Sequence, residues 1–163
     1  MRTLLFSCAA IFILLGDAEW PLMKDGLWSI HTVSTMMREG AQAKTFEVTV
    51  SRCRTQASDT QVPASAPPAK DCKVISKSSR DATHNSEMQC TINGSTVKVK
   101  ETVTMKGDNE ANTITEFTFD PPNSGLSGMN IVADMKYLGP CPAEMQPGDT
   151  VMPDGKVVHP PGR

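Results

Sequence analysis

Four groups of residues in this chain have types and spacings that could do chemistry: the cysteines, the three histidines, the methionines and one acid out of phase with its neighbours. Cys53, Cys72, Cys90 and Cys141 stand 19, 18 and 51 positions apart, and none forms the Cys-x-x-Cys pair that preorganises tetrahedral thiolates. In an exported chain an even set of this kind reads as two disulfides rather than a zinc site. His31, His84 and His159 fall in a first strand, a turn and a Pro-rich tail. A hydrolase would need one of them against a serine and a carboxylate, and no Gly-x-Ser-x-Gly elbow supplies the nucleophile, so a periplasmic hydrolase is the least favoured alternative. The expectation is a protein that is not an enzyme and carries no cofactor or metal.

Glu101 interrupts an apolar run of alternating residues, Val97, Val99, Val103 and Met105. A buried, unpaired carboxylate is costly and has its pKa raised. The cheaper reading is a β-bulge that returns Glu101 to solvent; the functional one is an acid inside a lumen, orienting a ligand. Methionine is abundant: nine of the ten lie beyond residue 18, with Met36-Met37, Met88, Met105, Met129 and Met135 in or beside strands. Thioethers are soft ligands, so a Met/His copper-binding protein with His31 near Met36 is an alternative. Without a Met-x-x-Met spacing, the simpler expectation is that methionine fills an irregular core and lets a small barrel adapt to an apolar small ligand. Trp28, Glu101, Met105, Met129 and Met135 are the candidate lining.

These residues need elements to position them. Arg2, the apolar run Leu4 to Leu15 and the small residues of Gly16-Asp17-Ala18 form a signal peptide over residues 1–18, too short to span a bilayer and with no transmembrane segment after it. The chain is therefore expected to be exported, to the periplasm. Its net charge of -2, with only six aromatic residues outside the first 18, excludes a nucleic-acid partner.

Beyond the signal, apolar residues recur with period two. Trp28, Ile30, Thr32 and Ser34 share one face of a first strand; Phe46, Val48 and Val50 one face of a second; Met88, Cys90 and Ile92, then Val97 to Met105, Thr113 to Phe119 and Met129 to Tyr137 follow suit. Asn93-Gly94 is the clearest hairpin turn. The fold class is all-β: an antiparallel meander of about six to eight strands over 19–141, forming a small barrel or sandwich. A Pro/Ala/Ser-rich mobile loop over 54–71 and a Pro-rich C-terminal tail over 142–163 lie outside it, the tail packing loosely and carrying no site. A hairpin centred near Asp81 sets Cys72 opposite Cys90, which leaves Cys53 for Cys141; a Cys53–Cys72 bridge around the loop is the competing pairing.

Gly26-Leu27-Trp28, the cysteines at the end of the second strand and flanking the loop, and the block Tyr137-Leu138-Gly139-Pro140-Cys141-Pro142-Ala143-Glu144-Met145-Gln146-Pro147-Gly148-Asp149 resemble the bacterial exported family called domain of unknown function 3617. The resemblance implies an exported bacterial protein with no established biochemical role. The chain departs from the family where an acidic residue usually follows Gly-Leu-Trp and Ser29 stands instead.

Overall fold

The structure, a computed structural model, describes residues 23–55 and 71–159. The signal peptide read over 1–18 and the interior of the 54–71 loop lie outside the described residues.

The described chain is all-β. Seven long strands, β1 (Gly26–Arg38), β2 (Lys44–Arg54), β3 (Cys72–Arg80), β4 (Thr83–Ile92), β5 (Ser95–Lys106), β6 (Glu110–Asn123) and β7 (Leu126–Gly139), precede two short ones, β8 (Thr150–Val151) and β9 (Val157–Val158). All join one antiparallel sheet in the order β3-β4-β5-β6-β7-β1-β2-β8-β9. Because β1 pairs with β7, the seven long strands follow each other in cyclic order, and the ring is open only between β2 and β3. The sheet is thus a meander that does not close into a barrel.

Turn chemistry sets the registers. Asn93-Gly94 and Ser124-Gly125 both hold positive φ at two consecutive residues, as two-residue hairpin loops of matching twist require. Gly26 (φ +146°) passes so close to the Gly139 carbonyl and the Tyr137 ring that a Cβ would collide with both. That contact explains the glycine before Leu27-Trp28.

Alternation along each strand gives the sheet two unlike faces. The polar face carries cross-strand sets such as Glu87, Lys100 and Glu116, or Lys106, Glu110 and Lys136. The other face is apolar, and at one end it is packed. Trp28, fully buried, meets the Tyr137 ring edge-on at 5.6 Å and donates from Nε1 to the Lys24 carbonyl at 2.8 Å. Met23, Val103, Ala111 and Met135 complete this buried cluster, with Ile30 and Met105 against it.

Disulfides join Cys53 to Cys141 and Cys72 to Cys90, the pairs that strand phase favours. The second holds despite a register shift between Val74 and Ser76, which leaves Ile75 as an extra residue and moves the hairpin loop to Asp81-Ala82. The tail departs from the expected loose packing outside the sheet. Thr150-Val151 and Val157-Val158 pair as a hairpin, and β8 adds to the edge of β2 at Ser51 and Arg52. Met145 is buried and Asp149 is only 1% exposed. The Cys53–Cys141 bridge delivers this segment to the end of β2, where Cys53 N–H donates to the Asp149 carbonyl and Gly148 N–H to the Cys53 carbonyl.

Candidate functional site

Between the Trp28 cluster and the buried pair Val97 and Cys90, the apolar face stays half-covered. One row across it runs Met88, Val99, Phe117, Met129 and Met36; the next runs Ser86, Glu101, Thr115, Ile131 and Ser34, ending at Phe46 on β2. All of these are of intermediate burial except Phe46, which is 53% exposed. The stretch is an open apolar surface with a strip of hydroxyl groups through it.

Glu101 sits in that strip. Its strand pairs continuously with both neighbours, directly opposite Ser86 and Thr115, so no bulge turns the side chain away. The bulge reading is therefore corrected: an extra residue here would turn either Val97 or Val103 to the polar face, and the burial of both holds the phase. Among the described residues Glu101 makes no hydrogen bond or ion pair, and burial pushes its carboxyl above the ordinary carboxylate range.

The five candidate lining residues divide. Glu101 and Met129 lie on the open stretch, whereas Trp28 and Met135 are buried in the packed cluster, and Met105 packs against it. Met36 opposite Met129 and the half-buried Phe117 and Phe119 belong to the open stretch too. They share the phase of Glu101, and that phase was the available signal.

Each histidine has a partner. His31 Nδ1 lies 3.0 Å from the Thr49 hydroxyl and Nε2 3.5 Å from the Glu47 carboxylate. This sets a hydroxyl, an imidazole and a carboxylate in line, but across the polar face, with the His31 and Glu47 side chains 40% and 68% exposed. Solvent screens such an arrangement and leaves nothing to exclude water from a reacting bond. His84 Nδ1 is 3.0 Å from the Ser79 hydroxyl, also in an exposed setting. His159 Nδ1 is 2.8 Å from Asp149 Oδ1, while Asp149 Oδ2 accepts from Gln146 N–H at 2.9 Å. Sequence reasoning missed this buried acid, although Gly148-Asp149 closes the block quoted above.

The methionine sulfurs also find partners. Arg54 Nη1 donates to Met23 Sδ at 2.7 Å and lies 3.6 Å from Met135 Sδ, so a guanidinium occupies the point where two thioethers converge. Among the described residues no three of His, Cys, Asp and Glu are grouped to hold a metal, and no helix is long and apolar enough to cross a membrane. On the polar face a groove of about 530 Å³ passes Lys98, Lys100, Glu116 and Asn130. Lys100 is flanked there by Glu87 and Glu116, so the groove has no concentrated charge.

Compared with known families, residues 23–141 match one described as Protein of unknown function (DUF3617). No curated protein and no solved structure matches the chain.

Proposed function

The chain belongs to the DUF3617 family, and from its own geometry we propose that it is an exported, periplasmic, non-catalytic β-domain that binds an apolar small ligand along the open stretch of its sheet. The observation that carries this reading is the half-covered run Val99, Phe117, Phe119, Met129, Ile131 and Met36 beside Glu101. Contiguous apolar surface on a soluble domain is disfavoured unless something covers it. Methionine side chains adapt to ligands of irregular shape. Glu101, between Ser86 and Thr115, gives the stretch one place to hydrogen-bond a ligand's polar end. A half-buried carboxyl with no partner among the described residues accepts from a ligand hydroxyl, which suits a hydroxyl head group better than a second carboxylate. Two disulfides support an oxidising compartment, in line with the signal-peptide reading.

The test is displacement of a surface-sensitive dye by a long-chain alcohol from wild type, Phe117→Asp and Glu101→Gln. Saturable displacement lost in Phe117→Asp and weakened in Glu101→Gln supports the proposal. Binding that ignores both substitutions, or no saturable binding by the wild type, overturns it.

A further inference from the structure

Among the described residues the open ring leaves two long strands with a free edge, and they are defended unequally. A free edge invites pairing unless charge, a bulge or shortness blunts it. On β3 charge and irregularity blunt the edge: Lys73, Lys77 and Arg80 line nine residues that also carry the register shift at Ile75, although Val74 and Ile75 are 56% and 48% exposed. β9 is two residues long. β2 differs. Its edge takes β8 only at Ser51 and Arg52, and Lys44-Thr45-Phe46-Glu47-Val48 runs on without a bulge, with Phe46 53% and Val48 38% exposed.

The direction of the free groups follows from one end of the strand. The Cys53 N–H and carbonyl both bond away from β1, to Asp149 and Gly148. In an antiparallel ladder successive residues alternate sides, so Thr45 and Glu47 also present N–H and C=O to the free edge, while Phe46 and Val48 bond towards β1. A second strand can therefore add at Thr45 and Glu47 without disturbing the sheet.

We propose that the occupant of this edge is a second copy of the chain, its β2 paired antiparallel with β2 about a two-fold axis at Phe46. An axis at Phe46 uses the whole of Lys44–Val48, whereas one at Thr45 would pair only Lys44 to Phe46. An axis at Glu47 would set two Glu47 carboxylates directly opposite, which is unfavourable. An axis at Val48 or beyond would run the incoming strand past Val50 into the edge already taken by β8 and its Pro153-Asp154-Gly155 turn. The axis at Phe46 sets Phe46 against its partner's Phe46, Thr45 against Glu47 and Lys44 against Val48, with no like charges opposed. Such an isologous contact closes at two copies, because each β2 edge is used once. It joins the apolar faces of two sheets into one surface and is independent of whether that surface holds a ligand.

The experiment is sedimentation of wild type, Phe46→Glu, Phe46→Lys and an equimolar mixture of the two variants through a dilution series. Circular dichroism checks that each is folded, and Phe46, being half-exposed, tolerates the change. The wild type should sediment at twice the chain mass and dissociate on dilution, each variant alone at the chain mass, and the mixture at twice that mass again. Thr45→Pro, which removes one edge N–H and leaves Phe46 in place, should also sediment at the chain mass. A wild type that stays monomeric throughout overturns the proposal. So does a Phe46→Glu protein that still dimerises, or a mixture that fails to restore the dimer.

Discussion

The same face of one sheet is finished around Trp28 and left half-covered along its middle. Around Trp28 the residues are interlocked: the indole is fully buried against Tyr137, a glycine yields room at Gly26, and Met23, Ala111, Val103 and Met135 close the remaining space. Further along the strands, Glu101, Phe117, Met129 and Met36 keep the same alternation but remain half-covered, before Val97 and Cys90 are buried again. Both regions obey the same pattern of alternate apolar residues, so alternation reports which side a residue faces and nothing about what covers it. What distinguishes the packed end is additional chain: Met23 ahead of β1, and the tail that the Cys53–Cys141 bridge pins to β2. In this account the open stretch is left for a ligand.

The contrast has its largest consequence for truncation. Trp28→Ala should cost about 3–5 kcal/mol, enough to unfold much of the protein, because it empties a fully packed site. Phe117→Ala, half-buried, should cost about 1–2 kcal/mol. Urea midpoints measure both, and equal losses would erase the distinction between the two regions. Removing the bridges comes next. On loop-closure entropy, Cys53–Cys141 with its separation of 88 stabilises by up to about 4.6 kcal/mol and Cys72–Cys90, with 18, by about 3.2. The double serine variant at 53 and 141 should therefore melt lower than the one at 72 and 90. It should also free the tail to proteolysis, which the other should not.

How much of this was legible in the sequence depends on how local the cause is. The inward phase of Trp28, Phe117 and Met129 and the pairing of Cys72 with Cys90 follow from alternation and one hairpin, which the chain writes in adjacent residues. The irregularity at Ile75 is not written there, since it arises when the bridge and the Asp81-Ala82 loop must both be satisfied. Glu101 was conspicuous as an acid in an apolar run, yet its fate depended on the registers of β4 and β6 around it. Asp149 was invisible as a buried residue. Its burial comes from a disulfide partner 88 positions away from Cys53, which brings a Pro-rich segment onto a strand edge.

Smaller effects sharpen the comparison. Asp149→Ala strips the acceptor from Gln146 N–H and His159 and should cost about 1–3 kcal/mol. His159→Ala, whose side chain is 66% exposed, should stay within about 1 kcal/mol. Thermal melts of the two separate a buried anchor from its solvent-facing partner, and equal losses would place His159 in the anchor. At Glu101 the folded chain holds its proton more tightly than the unfolded chain, because burial raises the carboxyl's pKa. The stability tied to that neutral acid is present below the ordinary carboxylate pKa and is lost as pH rises through the raised value. Glu101→Gln, neutral throughout, should melt like the wild type in acid and higher than it at neutral pH. A variant that melts lower than the wild type at neutral pH would show that the charged form is the one the fold favours.

The methionines allow the central claim to be read directly, since they lie in both regions. With ε-methyl-labelled methionine, long-chain alcohol is titrated into the purified protein and the methyl resonances are followed. Saturable shifts are expected at Met36, Met129 and Met88, with Met23, Met135 and Met145 unmoved. Shifts confined to the buried methionines, or no saturable shift at any methyl, would contradict it.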